Sequence, residues 1–312
     1  MKSLQEQEFK EYECCTLCPR QCKANRYQES SHGVCRVGAE LKLARAALHH
    51  WEEPCISGTN GSGAVFFSGC SMGCVFCQNQ SISHGDAGVV IPKERLVEIF
   101  LELQEQGAHN INLVTPGHYT PHIIWAVEHA REQGLSIPIV CNTGGYELVD
   151  TIKRLEGIVD IYLPDFKYSD RAFSQKYSHA PDYPEVAQKA IAEMVRQQPK
   201  AVFGEDGLLQ RGVVVRLLIL PGLLHDARRS LRYLYEHYGN QIYYSLMSQY
   251  TPLAHVEKYP ELQHRVSEEA YMNLVQYALS LGIEHGFTQE REVALESFIP
   301  AFDGEGVLPQ KQ

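Results

Sequence analysis

The chain has 312 residues, is 44% hydrophobic and 21% charged, and carries a formal net charge of −10. That composition suits one large α/β domain with extensions, and the acidic balance disfavours a nucleic-acid partner. The first ten residues lack the apolar core of a signal peptide, and no run is long enough to span a bilayer, so the expected location is cytoplasmic with no membrane partner.

A cytosolic chain keeps its thiols reduced, and the ten cysteines here are unevenly placed. Five lie between Cys14 and Cys35, three between Cys70 and Cys77, while Cys55 and Cys141 stand apart. Such clustering points to two metal sites.

Residues 1–62 read as a Cys-rich extension followed by a connector. Cys15, Cys18, Cys22 and Cys35 are four candidate ligands on a loop-rich segment with too few apolar residues to fold alone, where a metal would supply stability. Zinc, a rubredoxin-like iron and an auxiliary iron–sulfur cluster are all compatible; Cys14 can replace Cys15, and unliganded thiols are the plain alternative. Leu41–Leu48 reads as a short strand or a helix. The glycine-rich stretch ending at Gly63 lacks the Gly-Lys-Ser/Thr ending of a P-loop.

Residues 63–255 alternate. Strand-like apolar runs fall at Ala64–Ser68, Ile111–Thr115, Ile137–Asn142, Val159–Leu163, Val213–Leu220 and Ile242–Leu246. Helical patterns fall at 93–106, 121–133, 147–156, 184–198 and 227–238. Leu96, Ile99, Phe100 and Leu103, for example, share one helical face. Six strands alternating with helices predict an α/β fold, a partial (β/α)6 TIM-like barrel. The Cys-rich metal-binding extension precedes it and a C-terminal helical tail follows. In that tail, residues 256–312, Ser267 opens a helix to Leu281, and Phe298–Asp303 reads as a packing segment over the barrel mouth.

In parallel barrels chemistry collects at the C-terminal strand ends. Cys70-x3-Cys74-x2-Cys77 follows the first run there. Three thiolates can hold three irons of a cubane, which ordinarily takes four cysteines. The uncovered iron is then an open position of the kind a catalytic metal site keeps. A zinc site completed by His84, or unrelated buried thiols, are the alternatives. The cluster would draw its ligands from this loop alone, so it is expected to form without residues 1–38. The other strand ends carry Thr115-Pro-Gly-His-Tyr119, Asn142-Thr-Gly-Gly-Tyr-Glu147, Asp165-Phe-Lys167 and Met247-Ser-Gln-Tyr250. Arg216 sits inside an apolar run and must be paired if buried. Its partner is either Asp165, in a structural ion pair, or an anionic ligand.

With the cysteine loop so placed, and Phe76 directly before its third cysteine, the stretch 63–255 resembles the radical SAM superfamily. It is most similar to the branch of the pyruvate formate-lyase-activating enzyme. Asp165-Phe-Lys167 resembles that branch's Asp-Leu-Lys motif, Asn142-Thr-Gly-Gly its Asp-Thr-Asn-Gly strand end, and Arg216 with Pro221-Gly222 its Arg-x4-Pro-Gly strand. The Cys-x2-Cys-Pro-Arg-x-Cys block resembles a less characterised subgroup of activating enzymes.

The resemblance implies a [4Fe-4S] cluster on Cys70, Cys74 and Cys77 whose open iron chelates S-adenosylmethionine. It implies reductive cleavage to a 5′-deoxyadenosyl radical and hydrogen abstraction, the electron coming from an external flavodoxin- or ferredoxin-type donor. The substrate so implied is a glycyl radical enzyme, with a peptide or small molecule as the alternative. A non-catalytic zinc or iron–sulfur protein is the competing class. Thr115 and Gly117 stand where the family has Gly-Gly-Glu. A monovalent cation would map to Asn142, Thr143, the Leu163 carbonyl and Asp165, with Asn142 in place of an aspartate. Lys167 and Arg216 would contact the carboxylate or ribose of the cosubstrate, and His118 and Tyr119 are candidates to face the substrate, with a packed or exposed Tyr119 as the plainer alternative.

Overall fold

Every residue of four successive strands is buried: β2 (Ser62–Phe67), β4 (Ile111–Val114), β5 (Ile139–Thr143) and β6 (Ile161–Pro164). That is the pattern of parallel strands covered on both faces, and it is why short apolar runs mark them. The structure, a computed structural model, describes residues 9–28, 33–253, 256–289 and 300–309. Around those four strands lie β1 (Leu41–His49), β3 (Val89–Ile91), β7 (Val202–Phe203), β8 (Leu209–Leu218), β9 (Tyr243–Met247) and β10 (Gly286–Thr288). The helices are α1 (Pro54–Ser57), α2 (Gln80–Ser83), α3 (Lys93–Glu105), α4 (Thr120–Glu132), α5 (Val149–Lys153), α6 (Arg171–Ser178), α7 (Tyr183–Gln197), α8 (Leu224–Tyr238) and α9 (Glu268–Leu281).

The main sheet runs β3-β1-β2-β4-β5-β6-β8-β9-β10. From β2 to β10 neighbouring strands are parallel, and they lie side by side in chain order. A doubly wound fold would reverse its order at a switch point; this one keeps winding, as a barrel does. Among the described residues β3 and β10 do not pair, so the barrel is partial.

Leu41–Leu48, open between strand and helix from sequence, lies in β1, antiparallel to β2. In α3 the expected face of Leu96, Ile99, Phe100 and Leu103 is buried. Ser267 caps α9 by accepting from the Ala270 amide. The C-terminal segment packs on β1 and α3: the Ala46 amide donates to the Glu305 carbonyl at 2.9 Å, and Arg95 donates to the Val307 carbonyl at 3.0 Å. Phe302 sits edge-on to Phe66; Phe298 and Ile299 lie outside the described residues. The N-terminal block docks on the starts of two barrel helices, through Tyr12 to His122 at 2.7 Å and Thr151 to the Leu17 carbonyl at 2.7 Å. No helix among the described residues is long and apolar enough to cross a membrane.

Candidate active site

The chain leaves β2 through Gly69, whose φ of 93° puts it in a region side chains avoid; a Cβ there would stand 2.7 Å from the Cys35 carbonyl oxygen. This turn delivers the cysteine loop to the C-terminal ends of the parallel strands. Cys70, Cys74 and Cys77 line one cavity of about 260 Å³. The Ser178 hydroxyl, at the end of α6, donates to Cys74 Sγ at 3.0 Å. The Met72 amide points at Cys70 Sγ at 3.4 Å. Burial pushes the Cys74 thiol up to about 12, against the pull of Lys167. Burial, helped by Cys70, pushes Cys77 up to about 11. An iron ion would reverse that preference, because a coordinating thiol is deprotonated.

A charge network crosses the cavity wall. Arg216 on β8 donates through Nε to Asp165 at 2.8 Å, through a terminal nitrogen to Asn142 at 2.6 Å, and to Glu52 at 3.3 Å. Lys167 donates to the other Asp165 oxygen. Glu52 also accepts from Asn112 at 3.0 Å and from Asn142 at 3.1 Å. Burial alone would weaken the Arg216 charge, but Asp165, Glu53 and Glu52 outweigh it and hold its pKa above the usual value. Burial likewise opposes ionisation of Asp165, and Arg216 with Lys167 overrides it, lowering its pKa. The ion-pair reading of Arg216 is therefore present, and the same side chain lines the cavity.

Of the residues singled out from sequence, Phe76, Thr115, Asn142, Thr143, Asp165, Lys167 and Arg216 share that cavity with the three cysteines. Thr115 has φ 59°, a strained value for a β-branched residue. Its amide donates to the Asn142 carbonyl at 2.8 Å.

Gly117 is not among the lining residues. It lies against the carboxylate of Glu147 instead. His118 and Tyr119 also turn away. Both are buried, His118 bonding the Ser68 carbonyl at 2.8 Å and Tyr119 the Glu40 carbonyl at 2.9 Å. Sequence reasoning missed Glu52, Glu147, Trp51 and Met72, all on the cavity wall. Glu147 stood in view at the end of the Asn142 motif, but nothing in its spacing marked it as inward-facing.

A family model described as the radical SAM superfamily matches residues 64–232, more than half of the chain. The chain belongs to the radical SAM superfamily. It is 26% identical over 262 residues to an uncharacterised protein of Methanocaldococcus jannaschii, covering 82% of this chain and 71% of that one. A domain of the pyruvate-formate lyase-activating enzyme from Bacteroides vulgatus aligns with TM-score 0.41 and 14% identity, covering 58% of this chain and 98% of that one. Streptococcus suis SuiB, solved bound to the precursor peptide SuiA, aligns with TM-score 0.48 and 10% identity, covering 72% of this chain and 47% of that one.

Among the described residues no three His, Cys, Asp or Glu side chains converge as a single metal ion requires. For the radical SAM loop this is no obstacle. Three thiolates of a cubane bind three different irons, and what they need is a shared cavity. For Cys15, Cys18, Cys22 and Cys35 it matters more, since zinc wants four ligands on one tetrahedron. Cys15, Cys18 and Cys35 are buried and Cys22 is exposed, and among the described residues they do not converge on one point. His84 lies beside Cys70 and Cys74 in a second cavity, away from the first. The monovalent-cation expectation meets a physical objection: Asp165 is taken up by Arg216 and Lys167, and the Asn142 side-chain oxygen by Arg216. Protein cations stand where that ion would bind.

Proposed function

We propose that this protein reductively cleaves S-adenosylmethionine and takes a hydrogen atom from a polypeptide. The observation that carries the reading is a single cavity wall. The cysteine loop and the polar strand-end residues Asn142, Thr143, Asp165, Lys167 and Arg216 line the same space, at the end of the barrel where chemistry collects.

On this reading Cys70, Cys74 and Cys77 hold a [4Fe-4S] cluster. When bound, it supplies the electron that breaks a carbon–sulfur bond of S-adenosylmethionine. The chain's own groups do the rest. Glu147, buried on the wall, receives the ammonium of the methionine end. Lys167 and Arg216, held in place by Asp165, bring positive charge to the carboxylate or ribose. Phe76, edge-on to Tyr168 and Tyr250, keeps water from the loop.

Cluster and cosubstrate would occupy the cavity, so the hydrogen donor comes to the rim, where Trp51 is 57% exposed. A polypeptide segment can reach such a rim. A modified peptide is the first version; the glycine loop of a glycyl radical enzyme is the second, resting on the Asp165-Phe-Lys167 and Arg216 motifs. A metal on Cys15, Cys18, Cys22 and Cys35, zinc or an auxiliary cluster, would persist in a variant lacking the three loop cysteines, where metal analysis reads it.

The deciding experiment is 5′-deoxyadenosine formation by the anaerobically reconstituted protein with S-adenosylmethionine and a strong reductant. Product that vanishes in Cys74→Ala is expected. An intact cluster that neither yields product nor changes its spectrum with S-adenosylmethionine would overturn the reading.

A further inference from the structure

The cavity wall holds more negative charge than its own cations answer. Its lining carries three carboxylates, Glu52, Glu147 and Asp165, against two cations, Lys167 and Arg216. Asp165 takes a donor from each cation. Behind the wall Glu53 adds a fourth carboxylate, 8% exposed and near enough to Arg216 to strengthen its charge. Lys167 and Arg216 therefore answer two of Asp165, Glu52 and Glu53, and one negative charge is left over.

Glu52 and Glu53 come from the short connection between β1 and α1, not from the end of a parallel strand. Glu52 is held by Asn112 on β4, Asn142 on β5 and Arg216 on β8. Two buried oxygens in this group have no hydrogen-bond partner among the described residues, Glu53 Oε2 and Asn112 Oδ1. A buried acceptor left unpaired is costly, and both of these are negative ends of their groups. The surroundings of Glu52 are thus short of positive charge in two independent ways, by the count of ions and by the count of hydrogen bonds.

S-adenosylmethionine carries two positive charges. Glu147 stands ready for the ammonium, which leaves the sulfonium. We propose that Glu52 and Glu53 answer the sulfonium charge and so set the preference for this cosubstrate over its uncharged thioether analogues. The proposal rests on the function above. Such attraction needs no contact, because in a partly buried site it reaches across several ångströms. Burial, opposed by Arg216, raises the pKa of both glutamates, and a positive charge placed nearby favours their ionised forms. Cleavage removes that charge: one electron neutralises the sulfur as its carbon–sulfur bond breaks. The pair therefore holds the cosubstrate and releases the thioether product.

The test measures binding by isothermal titration to the reconstituted full-length protein, without reductant, so that nothing turns over. The ligands are S-adenosylmethionine, sinefungin, which has an ammonium in place of the sulfonium, and S-adenosylhomocysteine, the neutral thioether. Glu52→Gln and Glu53→Gln should each weaken the two charged ligands about tenfold and leave S-adenosylhomocysteine within about twofold of wild type. Glu53→Gln is the cleaner variant, since the oxygen it can replace has no partner to lose, and it decides the matter if Glu52→Gln does not fold. Equal weakening of all three ligands overturns the proposal, because a merely structural role acts on them alike. So does unchanged affinity for S-adenosylmethionine in Glu53→Gln, or a wild-type protein with no preference for the charged ligands. A wild-type protein that binds none of the three overturns the functional reading beneath it.

Discussion

Gly117 leaves the room that the Glu147 carboxylate occupies: a Cβ at position 117 would meet both carboxylate oxygens, one of them at 2.7 Å. The glycine after one strand thus makes room for the acid after the next, and it is the acid that stands on the cavity wall. Thr143 donates to Glu147 at 2.7 Å. Burial, against that hydrogen bond, pushes the carboxyl up to about 7 from 4.5.

The first prediction is the pH dependence this implies. A carboxyl whose folded pKa lies above its unfolded one binds its proton more tightly in the folded state. Its stabilising contribution is full below 4.5 and is lost as pH rises through about 7. The span is worth on the order of 3 kcal/mol. Glu147→Gln removes the titration. Its stability relative to wild type, read by urea denaturation, should therefore rise between about pH 5 and about pH 8. A difference constant with pH would show that Glu147 does not titrate in this window. S-adenosylmethionine binding should weaken in both Glu147→Gln and Gly117→Ala, the second because the added methyl displaces the carboxylate.

Arg216 supplies the second prediction. Its guanidinium serves Asp165, Asn142 and Glu52 at once. Arg216→Met leaves two buried carboxylates short of their cation, at a cost of about 3–5 kcal/mol for a broken buried pair. Arg216→Lys keeps the charge but loses the planar fork and should fall between the two. Denaturation midpoints read the order. A loss below about 1 kcal/mol in Arg216→Met, the scale of an exposed pair, would mean that water enters the network freely.

Six of the seven parallel strands were legible because each carries an apolar run closed by glycine, proline or a polar cluster, four of them buried throughout. β1 was ambiguous because it alternates imperfectly, carrying Lys42 opposite β3 and Arg45 beside the C-terminal segment. β10, three residues long and two of them exposed, has no run to detect; its place is set by pairing with β9. In the site, the spacing of Cys70, Cys74 and Cys77 marked them as a candidate metal loop, and the three share one cavity. Nothing marked Glu52 and Glu147, because a loop carboxylate looks the same in sequence whether it faces solvent or a buried guanidinium. His118 misled for the converse reason: it follows a strand end, but the short turn at 117–119 rotates it beneath the wall, against Ser68, while Tyr119 takes the packed alternative, against Glu40.

The third prediction separates the cluster's ligands from the other thiols. Alanine at Cys70, Cys74 or Cys77 should lower iron and labile sulfide after reconstitution and abolish 5′-deoxyadenosine. Alanine at Cys55 or Cys141, both buried and neither on the cavity wall, should leave the iron content intact. Iron lost equally from all five variants would point to a folding defect rather than ligation.

The last prediction concerns the N-terminal block, which is expected to supply no cluster ligand and whose Arg20 reaches the cysteine loop. Arg20 donates through Nε to the carbonyl of Ser71, within the cysteine loop, at 2.8 Å. Its terminal nitrogens reach the carbonyls of His179 at 2.6 Å and Ser178 at 3.3 Å, and its guanidinium lies over the Tyr146 ring at 5.1 Å. Ser178 is the residue whose hydroxyl meets Cys74, so one arginine ties the N-terminal block to both sides of a cluster ligand. The cluster should therefore form without this block but be held loosely. Arg20→Ala should take up wild-type amounts of iron on reconstitution and then lose it to a chelator about tenfold faster, roughly 1.4 kcal/mol of lost restraint. Arg20→Lys, which keeps the charge without the fork, should lie between. Wild-type retention in Arg20→Ala would show that the loop holds its own shape, and failure to take up any iron would make Arg20 part of the loop's folding rather than its brace.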